Sequence, residues 1–171
     1  YTTIANVDHA LKFIADARAA KKPWFHYIAF NAPHAPLQPL EQDFRKYQGR
    51  YDIGWDAIRA ARVAKQKRIG LLPADSAESP RPDHIPEWSK LSDEQRSDES
   101  RMMSAYAGLI DRIDQEMGRL IADLEKAGDL DNTVILFVSD NGACPFHRGG
   151  ATPNTEPYLP TTRWGDSTGW A

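Results

Sequence analysis

The sequence predicts an α/β fold, because apolar runs typical of buried strands alternate with stretches of helical periodicity. Two such runs, WFHYIAF at 24–30 and TVILFVS at 133–139, consist mainly of aromatic, branched and aliphatic residues. The second run follows a helical pattern at 93–127 and a short turn at Asp131 and Asn132, which is the order of half a βαβ unit. Because 133–139 is apolar on both faces, we expect it to be a central strand of a mostly parallel sheet.

Four stretches have the periodicity or end signals of helices, and the last of them is the best defined. The four stretches are 4–20, 41–47, 55–69 and 93–127. Ser92 and Gln95 have the spacing of a capping box, and Gly128 stands where a helix C-terminus favours a left-handed residue. Apolar residues of the last stretch recur every three or four positions, and we expect them to face the core: Met102, Tyr106, Leu109, Ile113, Met117, Leu120 and Leu124.

Length and composition allow one domain of ordinary size, since the chain has 171 residues of which 41% are hydrophobic. We treat 1–171 as a single partial domain, with a proline-rich surface excursion at 70–100 and an irregular segment at 143–171. The formal charge of −3 comes from interspersed acids and bases, so no nucleic-acid partner is expected. The basic cluster RAARVAKQKR at 59–68 is interpreted as the solvated face of a helix.

Targeting signals are missing from the sequence as given. No apolar run approaches the roughly 20 residues that a membrane-spanning helix needs, and the N-terminus lacks the pattern of a signal peptide. The chain opens at Tyr1, without a methionine, directly into a helical pattern. We therefore expect it to be a piece of a longer protein.

Reactive side chains follow each predicted strand. The first strand leads into Asn31 and the proline-rich loop around His34, and the second leads into Asp140 and Asn141. Parallel sheets bind ligands beyond the carboxyl ends of their strands, so these groups are candidates for one common pocket. Flanking prolines would hold the backbone at His34 still, as an acid, base or anion donor requires.

Each candidate also has an ordinary structural interpretation. Asp-Asn-Gly is common turn chemistry after a strand, although Asp140 and Asn141 also offer adjacent oxygen donors that suit Ca²⁺ or Mg²⁺. A lone loop histidine such as His34 is often bonded to a backbone carbonyl. The residues alone leave these alternatives open.

Three segments in order, PWFHYIAFNAPHAPLQ, GRYDIGWDAIRAARVAKQKRIGLLPAD and GDLDNTVILFVSDNGA, resemble the bacterial arylsulfatase branch of the sulfatase family. The resemblance implies an α/β sandwich like that of alkaline phosphatase, with a mixed, mostly parallel central sheet that is incomplete in this chain. It implies that His34 binds the sulfate ester and assists departure of the leaving group. It also implies that Asp140 and Asn141 are ligands of a Ca²⁺ ion.

The resemblance further implies parts that this sequence lacks. The nucleophile of the family is a formylglycine made from the cysteine of a CxPxR motif, which lies far upstream of the SDNG turn. CPFHR at 144–148 instead follows that turn, and its proline is one position early. Cys144 is therefore interpreted as an ordinary loop thiol. Two acidic metal ligands and a lysine of the family are also absent, so the isolated piece is expected to be inactive.

The function implied is hydrolysis of sulfate monoesters of a small molecule or glycan. One alternative is a phosphonate or phosphodiester hydrolase of the same superfamily, because sulfate and phosphate esters have similar shapes. Another is a noncatalytic domain that binds a sulfated glycan, with the 70–100 excursion and Trp88 serving recognition. A periplasmic or secreted location is suggested only by the habit of the family.

Overall fold

The computed structural model describes residues 1–34, 37–83 and 85–142, and most of these residues are helical. The helices are α1 (Thr2–Ala19), α2 (Glu41–Arg45), α3 (Gly54–Arg68) and α4 (Asp93–Ala127). Short 3₁₀ turns at Trp88–Lys90 and Leu130–Asn132 precede and follow α4. All four predicted helices are confirmed. None of the helices in the described ranges combines the length and apolar character that crossing a bilayer requires.

Helix α4 has the end signals that its sequence predicted. The Ser92 hydroxyl accepts a hydrogen bond from the Gln95 backbone N–H at 3.2 Å, and the Gln95 side chain accepts one from the Ser92 N–H at 2.9 Å. Gly128 ends the helix with φ of 75° and ψ of 17°, a left-handed conformation that costs glycine little. These caps satisfy backbone groups that a helix end otherwise leaves unpaired.

Helix α4 packs against α1 and α2 through two separate apolar clusters. We call the first the α1 cluster; its buried members are Val7, Ile14, Leu120 and Leu124. We call the second the α2 cluster; its buried members are Leu37, Phe44, Ala105 and Leu109. The apolar stripe predicted for α4 therefore contributes to both clusters, with the α2 cluster in its N-terminal half and the α1 cluster near its C-terminus.

The contact between α2 and α4 is close and includes a buried ion pair. Asp43 is fully buried and accepts a hydrogen bond from Arg112 Nε at 2.8 Å and from Gln115 Nε2 at 3.0 Å. A Cβ added at Gly108 of α4 would lie only 3.1 Å from the Phe44 backbone nitrogen and from Pro39 Cβ. The missing side chain at Gly108 thus lets the two backbones approach while Asp43 and Arg112 pair beside them.

The predicted α/β fold with a mostly parallel central sheet is wrong for the described residues, which contain no β-strand. Along 24–30, burial alternates from residue to residue, and Trp24, Ile28 and Phe30 pack on the α1 cluster. The opposite face is open, with Phe25 93% exposed and Tyr27 80% exposed.

The second predicted strand, 133–139, lies almost entirely in solvent, with Leu136 85% exposed. The physical reason for both errors is that a strand exists only through hydrogen bonds to a neighbouring strand, and none pairs with either run in the described chain. The apolar composition of the two runs indicated burial between layers. Composition does not reveal which segment would pair with a run as its neighbouring strand.

Residues 70–91 form the excursion and lie against α3, held by polar contacts. The Asp56 carboxylate accepts hydrogen bonds from Arg81 at 2.8 Å and from the Trp88 backbone N–H at 3.1 Å. Trp55 Nε1 donates to the Pro86 carbonyl at 3.1 Å. The predicted excursion thus ends near residue 91, because 93–100 already belongs to α4.

We predict that Asp43→Asn in the intact protein lowers the free energy of unfolding by about 3 kcal/mol, because the buried Arg112 would lose the nearer of its two carboxylate partners. Chemical denaturation followed by circular dichroism measures the loss. The control is Glu41→Gln on the same helix, which removes an exposed ion pair with Arg45 and should cost less than about 1 kcal/mol. Equal losses in the two variants would contradict a dominant role for the buried pair.

We predict that Gly54→Ala destabilises the excursion more than Gly70→Ala does. Both glycines have left-handed φ, +84° and +75°, so both substitutions strain the backbone. Only at Gly54 would the new Cβ also meet the Trp88 ring, at 2.2 Å, whereas nothing lies within 4 Å at Gly70. Denaturation midpoints and tryptophan fluorescence measure the difference, and matching values for the two variants would show that the Trp88 contact is unimportant.

Candidate functional site

His34 lies on a tight turn that follows the extended 24–30 segment. Its backbone N–H donates to the Asn31 carbonyl oxygen at 3.0 Å, and the intervening Ala32–Pro33 peptide bond is cis. The residue itself is exposed to solvent. The turn is therefore closed by a backbone hydrogen bond, and it places the His34 imidazole at the surface.

Both sides of the His34 turn are attached to the α2 cluster. Ala32 packs on that cluster before the turn, and Leu37 is fully buried in it afterwards. The Gln38 carbonyl accepts a hydrogen bond from the Tyr1 hydroxyl at 3.3 Å, and burial is the main cause that raises the pKa of Tyr1 to about 12. The phenol is therefore neutral and remains a donor at physiological pH. Core packing therefore positions the residues on both sides of the turn.

Asp140 and Asn141 lie in an exposed turn after 133–139. The Ser139 hydroxyl donates to the Asn141 carbonyl oxygen at 2.6 Å, and Asn141 Nδ2 donates to the Gly142 carbonyl oxygen at 2.9 Å. These bonds use the amide nitrogen of Asn141 as a donor and leave its amide oxygen available as an acceptor. Together with the Asp140 carboxylate, the turn offers two neighbouring oxygen donors of the kind that Ca²⁺ prefers.

These two oxygens fit part of a calcium site. In ranges 1–34, 37–83 and 85–142, no group of three or more His, Cys, Asp or Glu side chains could hold a metal ion. Ca²⁺ takes about six to eight oxygen ligands, so Asp140 and Asn141 would need several more from elsewhere. Their role as ligands stays a prediction, as does that of His34. Cys144 lies outside the described residues.

The described contacts do not link the two candidate groups. Neither Asp140 nor Asn141 forms a hydrogen bond or ion pair with His34 within the part of the chain that the structure describes. The prediction that the imidazole and the acid-amide pair face one pocket therefore also stays a prediction. Each group lies on an exposed turn, where it is accessible to a ligand.

Sequence reasoning did not find a small pocket between α3, the Trp88–Lys90 turn and α4. Its walls include Trp55, Trp88 and Glu99, which are far apart in the sequence. The available signals were the Gly-Trp pair at Gly54 and Trp55 and the isolated Trp88, and only the last was noted. None of His34, Asp140 and Asn141 lines this pocket.

Comparison with known proteins identifies the relatives of this chain. The family model described as Sulfatase matches residues 1–161. An uncharacterized sulfatase of Schizosaccharomyces pombe is 38% identical over 74% of this chain and 23% of its own length. An arylsulfatase of Klebsiella aerogenes is 33% identical over 75% of this chain and 28% of its own length.

A further relative is named a multifunctional alkaline phosphatase superfamily protein, from Trinickia caryophylli. It is 30% identical over 71% of this chain and 24% of its own length. The chain thus spans between 23% and 28% of the length of these three relatives. Because the family model covers nearly the whole sequence, the chain belongs to the sulfatase family.

Proposed function

We propose that the protein is a sulfuric ester hydrolase of the arylsulfatase type, which cleaves sulfate monoesters of a small molecule or a glycan. Membership of the sulfatase family supports hydrolysis of a sulfate ester in general, and similarity to the Klebsiella arylsulfatase supports the narrower class. The single observation that carries the proposal is the match of the sulfatase family model to residues 1–161. The exposed His34, on a turn flanked on both sides by residues of the α2 cluster, is the part of the described chain that the proposal assigns to the chemistry.

His34 is proposed to bind the sulfate group or to protonate the departing alcohol. An imidazole can give a proton or a hydrogen bond near neutral pH, and a positioned acid contributes roughly 10²–10⁴-fold to a rate. The backbone bond from His34 N–H to Asn31 and the burial of Leu37 hold the loop in place before substrate arrives. Such preorganisation lowers the cost of orienting the acid toward the ester oxygen.

Asp140 and Asn141 are proposed to supply two oxygen ligands to a Ca²⁺ ion. When bound, that ion would reduce the negative charge that the sulfate oxygens present to a nucleophile. The nucleophile is proposed to be a formylglycine made from a cysteine outside residues 1–171. In this proposal the chain contributes the Asp140–Asn141 turn and the His34 side chain, which are exposed to solvent.

A second candidate function is hydrolysis of phosphonate or phosphate diesters. The observation in its favour is the 30% identity to the multifunctional alkaline phosphatase superfamily protein of Trinickia caryophylli. Assays of the intact protein on matched aryl sulfate, phosphate diester and phosphonate esters separate the two candidates. Faster turnover of either phosphorus ester would favour the second function. Binding of a sulfated glycan without any turnover would favour the noncatalytic alternative.

We predict that His34→Ala in the intact protein lowers kcat for an aryl sulfate by about 10² or more, because the leaving group loses its acid. A series of leaving groups sharpens the test: the loss should be greatest for alcohols with high pKa, which need protonation most. His9→Ala is the control, since His9 is an exposed histidine on α1. Unchanged kinetics of the His34 variant would remove the residue from the mechanism.

We predict that Asp140→Ala weakens Ca²⁺ binding by about tenfold or more, because the site loses its charged oxygen from this turn. Calorimetric titration of metal-free protein measures this independently of activity. The shift of the unfolding temperature on adding Ca²⁺ should also shrink, since a ligand stabilises only the state that binds it. Asp75→Ala is a matched control at another exposed aspartate. Equal Ca²⁺ affinity in both variants would contradict the assignment.

A further inference from the structure

A pocket of about 120 Å³ lies between α3, the Trp88–Lys90 turn and the first turns of α4. An apolar cavity of about 150 Å³ is known to hold one benzene molecule, so this pocket is sized for a small ring or headgroup. Most of its wall is aromatic or aliphatic, and Glu99 is its acidic side chain. The pocket shares no residue with the His34 turn or the Asp140 turn, so it is independent of the proposed sulfate chemistry.

Aromatic rings form the walls of this pocket and are held by contacts outside it. The rings of Trp55 and Trp88 have centroids 4.8 Å apart and meet edge to face at 80°. Trp88 lies directly over Gly54, where a Cβ would come within 2.2 Å of the ring. Trp55 uses its N–H on the Pro86 carbonyl. Both indoles therefore line the pocket with ring surface, and the Trp55 N–H is already used on Pro86.

Glu99 lines the same pocket, and one of its carboxylate oxygens lacks a hydrogen bond. Its Oε2 atom is buried and has no hydrogen-bond donor within the described residues. Burial, assisted by the neighbouring Asp98, raises the pKa of Glu99 to about 7. Arg62 also lines the pocket but is exposed, and no ion pair joins it to Glu99 in the described chain. The residue as a whole is half-buried, but a buried carboxylate oxygen without a donor is costly and favours a ligand that brings positive charge or a donor.

The three properties together select a class of ligand. An anion would meet the Glu99 carboxylate, and a purely apolar ring would leave that carboxylate unsatisfied. A cation with apolar substituents suits both features, because aromatic rings attract positive charge and also bury methyl groups. We propose that this pocket binds the headgroup of an organic cation of the methylated ammonium class, with Trp55, Trp88 and Tyr51 around the methyl groups and Glu99 as counter-ion.

The test is calorimetric titration of the intact protein at pH 8 with tetramethylammonium chloride, at constant total chloride. tert-Butanol, which has similar bulk but no charge, is the matched ligand control. We expect saturable binding of tetramethylammonium that is at least about tenfold tighter than binding of tert-butanol. Equal or tighter binding of tert-butanol, or no saturable binding of the cation, would overturn the proposal.

Variants then assign the effect to Glu99. Glu99→Gln should weaken tetramethylammonium binding by about tenfold or more, because the half-buried counter-ion is lost. Glu94→Gln is the matched control, since Glu94 is exposed on the same helix and does not line the pocket. Arg62→Ala should leave binding equal or tighter because it removes a like charge. Circular dichroism and thermal unfolding verify that each variant folds. Retained affinity in a folded Glu99→Gln protein would contradict the assignment, as would an equal loss in Glu94→Gln.

The pH dependence of tetramethylammonium binding is a second test of the role of Glu99. It uses the unmodified protein, so it applies even if Glu99→Gln does not fold. The cation binds the ionised carboxylate, and Glu99 is half-protonated near pH 7, so affinity should level off only about one pH unit above that value and fall as pH decreases. The other groups facing Glu99 are Asp98 and Ser100 on α4, and Tyr51 and Arg62 on the α3 side. Burial raises the pKa of Tyr51 above its ordinary value, so it stays neutral in this range. Affinity that does not change between pH 8 and pH 5.5 would contradict the role of Glu99.

Discussion

The buried ion pair between Asp43 and Arg112 is the interaction on which the position of the candidate site depends. Arg112 projects from the middle of α4, and Asp43 lies on the five-residue helix α2. A helix that short is not stable by itself in water, so tertiary contacts must hold it. The ion pair and the α2 cluster supply those contacts. Leu37, which follows the His34 turn in the sequence, belongs to the same cluster.

A continuous set of ionic contacts extends this constraint along α4 toward α1. Glu116 lies 3.5 Å from Arg112 Nη1 and accepts a hydrogen bond from Arg119 Nε at 2.9 Å. Arg119 in turn contacts Asp8 on α1 at 2.6 Å. Because each of these charges lies near an opposite one, Arg112 and Glu116 can be buried on α4 between its two apolar clusters. The helix thereby fixes α1 and α2 at defined positions along its length.

Sequence patterns were sufficient for the parts of the fold that depend on local interactions. The ends of α4 followed from Ser92, Gln95 and Gly128, since capping is decided within a few residues of the chain. The two predicted strands were wrong for the described residues because pairing partners are not encoded in an apolar run. The tightness of the α2 contact was not predicted either, since Gly108 is an unremarkable glycine until Phe44 and Pro39 are seen against it.

In the candidate site, too, local features could be predicted from the sequence, whereas contacts between distant segments could not. The rigidity of the His34 turn could be anticipated from its prolines, but its attachment to Tyr1 and the α2 cluster needed the structure. Asp140 and Asn141 were selected from their oxygen donors and from the family resemblance. That they share a pocket with His34 stays a prediction. The Glu99 pocket could not be anticipated, because α3, the excursion and α4 each contribute only part of it.

The close approach at Gly108 has a consequence for how this architecture tolerates divergence. Because Gly108 has no side chain, the backbones of α2 and α4 are in direct contact, and no side chain can move to make room between them. An inserted residue or a bulkier side chain at 37–45 would therefore shift the His34 turn. The excursion at 70–91 is instead held by contacts with Trp55 and Asp56 of α3. Length changes among distant homologues are therefore expected to accumulate in the excursion, while the spacing from His34 to α2 stays constant.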